Sequence, residues 1–345
     1  VALTCAASSL DEIREWCSAR LRQISRQIFA VGDKQLTTTA SVVITALPPP
    51  PRDASAALAT AGQALAALHA EGNNSAVRIT GDAAEELQRR EESKRWADQV
   101  RLALSEGHFA LAFQGVACLT DDPSEYTDVL MRLNDADGKP VQAKEFMPAA
   151  QEHGLMGDID RWVVSAALER LKHLHEQRKR QVFFVRLDIA SVQQANAFLQ
   201  WMEPLWKASG LPTGSMVMVL RERMLQTQMR SGTNLLNGLR SLGVATGIDH
   251  FGISSQSAEL LRRLPVDYVK LHADFTAAVS NPGADLSSFR EIMDVAKQQK
   301  IRTIAERVAS ANDMARLWQM GVNFLMGSHV HEPEAELKKT RLRLS

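Results

Sequence analysis

The chain has 345 residues, 45% of them hydrophobic and 23% charged, an ordinary globular make-up with room for two domains or one large barrel plus a smaller unit. Its 40 Lys plus Arg balance 40 Asp plus Glu, which excludes recognition of nucleic acid or an anionic membrane through bulk charge. No apolar run reaches the ~18 residues of a membrane-spanning helix, no signal peptide is visible, and Cys5, Cys17 and Cys118 lack CxxC spacing, which suits a reducing cytoplasm better than a disulfide framework.

The chain opens on Val1 rather than Met, in what reads as mid-strand (Val1 to Cys5), so a longer natural protein is expected. Ser9 to Phe29 predicts a helix, with Leu10, Ile13, Trp16, Leu21, Ile24 and Ile28 at mostly three- and four-residue spacing. Thr37 to Ala46 is β-branched and alternating, which predicts a strand. Pro48 to Pro51 reads as a loop, with polyproline II the other option. Ala54 to His69 predicts a helix closed by Glu71-Gly72-Asn73-Asn74, and Ala76 to Ile79 a short strand. Asp82 to Glu106 is charged along its length and predicts a solvated connecting helix that contains the domain boundary.

After Phe109 the rhythm changes to short apolar strands between amphipathic helices. Strands are predicted at Phe109–Val116, Tyr126–Leu133, Val182–Asp188, Met216–Leu220, Val244–Ile248, Tyr268–Leu271, Thr303–Glu306 and Phe324–Met326. Helices are predicted at Asp158–Glu176, Val192–Lys207, Leu225–Leu242, Ser287–Gln299 and Ala311–Met320. Repeated strand–helix units predict a parallel (β/α) barrel, whose reacting groups sit at the C-terminal strand ends. Those ends carry Asp128 and Arg132, Arg186, Val219 and Glu222, Asp249 and His250, Lys270 and His272, Glu306, and Met326. By chemistry alone this set is either a divalent-metal site or an internal ion-pair network.

The spacing of these residues resembles the EAL domain of cyclic-di-GMP phosphodiesterases, over about Phe109 to Glu336. Asp128-Val129-Leu130-Met131-Arg132 stands at the Glu-Ala-Leu-x-Arg signature, and Lys144 to Ala150 at "EFIPxA", followed by Ile159-Asp160-Arg161-Trp162. Val185-Arg186-Leu187 stands at "VNL", Ile248 to Gly252 at "LDDFG" and Asp267 to His272 at "DxxKID". Ala305-Glu306-Arg307-Val308 stands at "AEGV", and Met326-Gly327 at the final "QG". Residues 1 to about 80 resemble, more weakly, the second half of a GGDEF domain, through Ser41-Val42-Val43-Ile44 and the Ala61 to Asn73 helix and turn. Among tandem GGDEF–EAL proteins the pattern is similar to the FimX type. The resemblance therefore implies an α/β fold: an EAL-type (β/α)8 TIM-like barrel preceded by a partial GGDEF-like domain. The expected bounds are 1–81 for that remnant, 82–106 for the connecting helix and 107–340 for a degenerate EAL domain.

In the family, carboxylates, an Asn and a Gln hold two divalent cations that activate water. Carried over by position, the signature Glu is Asp128, the Asn is Arg186, the first Glu of "ExTE" is Val219, the paired Asp residues are Asp249 and His250, and the Gln is Met326. Asp249, Lys270 and Glu306 are kept, and Glu222 stands at the second Glu of "ExTE". A hard cation needs oxygen ligands, and Arg186 brings a permanent charge into its place. The expectation is a salt-bridge network with no metal, no catalytic residue and no phosphodiesterase or cyclase activity. The sharper alternative is a transition-metal site built from His250, His272, Asp249 and Glu306, with His329 and His331 nearby.

Binding is separable from cleavage. Gln114, Leu130, Arg132, Pro148 and Asp160 stand at the family's nucleotide contacts, although Gly115 replaces the Pro of "YQP". The resemblance implies a cyclic-di-GMP receptor and docking module in bacterial signalling, with no cofactor, a PilZ-type adaptor as partner and a cytoplasmic location. The alternatives are a scaffold that no longer binds nucleotide and a weakly active phosphodiesterase. Self-association as a dimer stays open.

Overall fold

The computed structural model describes residues 10–31, 34–45, 54–70, 77–80, 83–135, 138–281 and 283–334. The expectations for Val1 to Cys5, the proline run and the 71–74 turn lie outside these residues. The chain divides into two compact units, Val1–Glu92 and Ser93–Ser345.

The first unit contains α1 (Leu10–Arg26), β1 (Ile28–Val31), β2 (Lys34–Thr37), β3 (Val42–Thr45), α2 (Ala54–Ala70) and β4 (Val77–Thr80). β3 and β4 pair in parallel, with α2 as the crossover between them. β1 and β2 form an antiparallel hairpin absent from the sequence expectation. Ile28 and Phe29 continue the apolar spacing of the preceding helix, so periodicity alone carries that helix into the first two residues of the strand.

α3 (Ala83–Glu106) spans the division between the units. Its second half departs from the expected solvated helix: Ala97, Val100 and Ala103 are fully buried. Their three-residue spacing puts one apolar stripe against the second unit's core.

The second unit continues with β5 (Phe109–Cys118), β6 (Glu125–Asn134), β7 (Pro140–Gln142), α4 (Ala143–Glu152), α5 (Met156–Glu176), β8 (Gln181–Arg186), α6 (Ile189–Gln193), α7 (Ala195–Ser209) and β9 (Met216–Arg221). Then come α8 (Glu222–Thr227), α9 (Met229–Leu242), β10 (Ala245–Phe251), α10 (Ser257–Arg263), β11 (Tyr268–Leu271), α11 (Ala273–Ser280), α12 (Ser287–Gln299), β12 (Arg302–Ala305), α13 (Ala311–Gln319) and β13 (Phe324–Leu325). β5, β6 and β8 through β13 close into an eight-stranded barrel. The two helices expected at 192–207 and 225–242 are each broken, at Gln194 and Gln228.

One strand departs from the all-parallel expectation. β5 runs antiparallel to both of its neighbours, β6 and β13. Only a short turn around Asp121-Asp122-Pro123 links β5 to β6, and parallel neighbours need a crossover of a dozen or more residues. The seam is completed by Phe113, which exchanges two backbone hydrogen bonds with Glu334, at 2.7 and 2.9 Å.

Most buried side chains fill the layer between barrel and helices. A smaller cluster fills the barrel interior: Tyr126, Phe184, Val217, Tyr268, Ile304 and Phe324 among others. Among the described residues no helix is long and apolar enough to cross a membrane.

Candidate functional site

Side chains along a strand alternate between faces, so a strand that points one residue inward points the next-but-one inward too. Two residues beyond the apolar floor at Tyr126, Phe184, Val217, Tyr268, Ile304 and Phe324 stand Asp128, Arg186, Val219, Lys270, Glu306 and Met326. Asp249 joins them from β10. The barrel therefore gathers these seven of the sequence-predicted strand-end residues into one layer at its mouth. Asp128 and Asp249 are fully buried, and Lys270 and Glu306 nearly so.

Arg186 organises this layer. Its Nη2 donates to Asp128 Oδ2 at 2.7 Å and its Nε to Asp249 Oδ2 at 2.6 Å. Lys270 Nζ donates to the other oxygen of Asp128. Burial alone would lower the Arg186 guanidinium, but Asp128, Asp249 and Glu306 outweigh it and raise its pKa. Burial likewise works against the Asp249 charge, yet His250, Arg186 and Lys270 hold its carboxyl well below the usual range. Glu306 goes the other way: burial first, then the neighbouring Asp249 charge, raises its carboxyl. Two cations thus answer two aspartates, as the expected salt-bridge network requires.

These contacts bear on the metal pair that the resemblance implies. Both Asp128 oxygens and one Asp249 oxygen are taken by fixed cations. Val219 and Met326 present no oxygen, and a hard divalent cation wants about six. The residues present do not fit two such cations. Asp249, His250 and Glu306 bring ligand atoms within 4.8 Å of one another, a set that suits zinc by ligand type. The Arg186 guanidinium on Asp249 sets a permanent positive charge against any ion there.

His250 Nδ1 lies 3.1 Å from Asp249 Oδ1, and its ring is 6.0 Å from that of His272, centroid to centroid. Glu222 is turned away from this layer. Its carboxylate accepts from Gly252 N at 2.9 Å, Ile253 N at 3.4 Å and the Ser257 hydroxyl, and so ties down the loop after β10.

The five nucleotide-contact positions divide. Gln114 pairs with Asp128 across β5 and β6, which sets Gln114, Asp128, Leu130 and Arg132 on one face. Arg132 is half-buried and donates to the Met131 carbonyl at 2.9 Å; among the described residues it has no carboxylate partner. Pro148 is exposed in α4. Gln114 Nε2 donates to the His331 carbonyl at 2.9 Å, a tail contact the sequence did not suggest.

Asp160 stands apart, buried, with its Oδ2 accepting from Asp188 N at 2.8 Å and Ser191 Oγ at 2.6 Å. Through these two bonds it supports the loop that follows Arg186. Burial dominates there and pushes its carboxyl up to about 7.

Gly327, beyond the last barrel strand, has a packing role. A Cβ on it would lie 2.4 Å from both the N and O atoms of Val308. Backbone cannot yield as a side chain tip can, so Gly327→Ala is expected to cost about 1–3 kcal/mol. A shift of the urea midpoint measures this, and an unchanged midpoint refutes the close approach.

The family model for the EAL domain matches residues 97–333 of this chain. The cyclic di-GMP phosphodiesterase PdeB of Shewanella oneidensis is 26% identical over 269 residues, 78% of this chain and 31% of PdeB. The cyclic di-GMP phosphodiesterase NbdA of Pseudomonas aeruginosa is 26% identical over 314 residues, 90% of this chain and 39% of NbdA. The chain thus spans about a third of the length of these curated relatives. The FimX EAL domain of Pseudomonas aeruginosa, solved bound to c-di-GMP, superposes with a TM-score of 0.65 at 28% identity, covering 71% of this chain and 98% of that one.

These relatives correct one expectation. The changed ligand positions read as those of a chain that is no enzyme, but PdeB and NbdA, each 26% identical, are cyclic di-GMP phosphodiesterases, so the family is enzymatic. Physically, a missing metal oxygen is a weak ground for excluding turnover, because fixed cations also stabilise charge on a phosphoryl group.

Proposed function

Since the chain belongs to the EAL domain family, we propose that it binds cyclic di-GMP at the barrel mouth and turns that binding into a changed grip on a protein partner. The observation that carries this reading is Arg132. It stands on the mouth-facing side of β6 with no carboxylate partner among the described residues. A half-buried arginine without a counter-charge suits a phosphate. Leu130 and Pro148 supply apolar surface for a guanine face, and Gln114 a polar edge. The domain spans nearly the whole of a solved c-di-GMP-bound relative, which supports the same ligand here.

The finer parts of the reading follow the sequence pattern. Residues 1–81 are a GGDEF-like remnant, and the chain acts in the manner of FimX-type tandem proteins, in the cytoplasm, through a PilZ-type adaptor in type IV pilus control. A nucleotide can signal only by binding one state of the pair better, with coupling of about 1–3 kcal/mol.

Calorimetric titration with cyclic di-GMP is the test. Binding is expected with or without chelator, because Arg186 already stands between the aspartates that a metal would need. Arg132→Ala is expected to weaken binding by more than about 1.5 kcal/mol, over tenfold. Release of linear dinucleotide is followed in the same samples with Mg²⁺ and Mn²⁺. Absence of binding heat at high micromolar nucleotide leaves the passive scaffold. A strict metal requirement points instead to Asp249, His250 and Glu306.

A further inference from the structure

Four described residues other than glycine have left-handed backbone: Arg178, His250, Lys300 and Arg307. Arg178 and Lys300 sit where helices α5 and α12 end, a place where that conformation is ordinary. His250 and Arg307 have no such reason. Both stand at the barrel mouth, at φ 54° and φ 56°. Such conformations persist where the surroundings impose them, and they gather at ligand sites.

The surroundings of Arg307 do impose it. On one side the Glu306 carbonyl accepts from Thr276 Oγ1 at 2.7 Å. On the other, Val308 N donates to the Met326 carbonyl at 3.0 Å, against a glycine that leaves no room for a Cβ. Glycine is the natural residue for this position, and it is the residue of the "AEGV" pattern that the segment resembles. An arginine stands there instead. Its side chain is exposed and has no hydrogen bond or ion pair among the described residues. Its charge nevertheless reaches the mouth: burial lowers the His272 imidazole against Asp274, and His250 and Arg307 lower it further.

Three positions around Asp249 and Glu306 thus differ from the resembled pattern in one direction. Asn becomes Arg186, Asp becomes His250 and Gly becomes Arg307. Resting on the nucleotide-binding reading above, we infer that the Arg307 guanidinium contacts the phosphodiester of the bound cyclic dinucleotide and supplies positive charge that divalent cations supply elsewhere in the family. A planar guanidinium can grip two phosphate oxygens at once.

The test is calorimetric titration of cyclic di-GMP in chelator, with the full chain and two variants. Arg307→Gly suits the left-handed backbone and removes the charge. Arg307→Asn also tolerates that backbone, without glycine's added freedom. Both are expected to bind at least tenfold more weakly, with thermal midpoints equal to or above the unmutated protein's. Full affinity in both variants overturns the inference while leaving nucleotide binding intact. Weakening in the glycine variant alone overturns it as well, since loop freedom would then be the cause. An unmutated protein that does not bind brings down the earlier reading and this one together.

Discussion

Arg186→Met is expected to destabilise the barrel unit by about 3–5 kcal/mol, the usual cost of removing one partner from a buried ion pair. The loss does not reflect what the pair contributes over an apolar core. It arises because Asp128 and Asp249, both fully buried, keep charges that only Lys270 and His250 then answer among the described residues. The double variant Arg186→Met with Asp249→Asn is therefore expected to recover part of the loss, since one orphaned charge goes with its partner. Arg186→Asn separates charge from shape. With the guanidinium gone, millimolar Mn²⁺ is expected to raise that variant's urea midpoint, as a ligand bound only by the native state must. The unmutated protein is expected to show no such gain. A loss under 1 kcal/mol in Arg186→Met, against the range above, would mean that the aspartates find other partners and that Arg186 is peripheral.

The second large effect is on pH dependence and belongs to Asp160. Its carboxyl is pushed up from 3.8 to about 7, by burial first, with Ser191 and Asp188 donating against that trend. A group whose pKa rises on folding holds its proton more tightly in the native state. Its contribution is complete below the unfolded value and is lost as pH climbs through the folded one. The gap corresponds to about 4 kcal/mol. Asp160→Asn keeps an acceptor oxygen for the same two donors and does not titrate. The stability of the natural protein relative to this variant is expected to fall by about that much between pH 4 and pH 8. Paired urea curves at several pH values measure it, and a constant difference would show that Asp160 is ionised throughout.

The contrast between Arg186 and Asp160 shows what could be read before the fold was known. The barrel was legible because each strand is a short apolar run followed at fixed spacing by a polar residue, and Tyr268–Leu271 and Ser287–Gln299 fall where the pattern put them. The ion pairs of Arg186 were legible as chemistry, since an arginine among carboxylates must find one. The loop-holding bonds of Asp160 were not, because nothing local marks a carboxylate that braces a distant loop. That depends on Ser191, 31 residues away. The breaks at Gln194 and Gln228 were hidden because apolar spacing continues through them. Arg307 lay in plain view as an arginine in a glycine's place, but its left-handed φ belongs to the folded backbone alone.

The reversed first strand has a consequence for how the barrel is made. β5 is the first barrel strand to be synthesised, yet one of its neighbours is β13, and its Gln114 waits for His331, 217 positions later. While the chain emerges, one edge of β5 has β6 and the other has nothing. An open edge of this kind invites pairing with another chain, and closing it late carries the slow kinetics of high contact order. The nascent domain is therefore an unfinished cylinder until β13 and Glu334 leave the ribosome, and the mouth of that cylinder is assembled at the same moment as its wall.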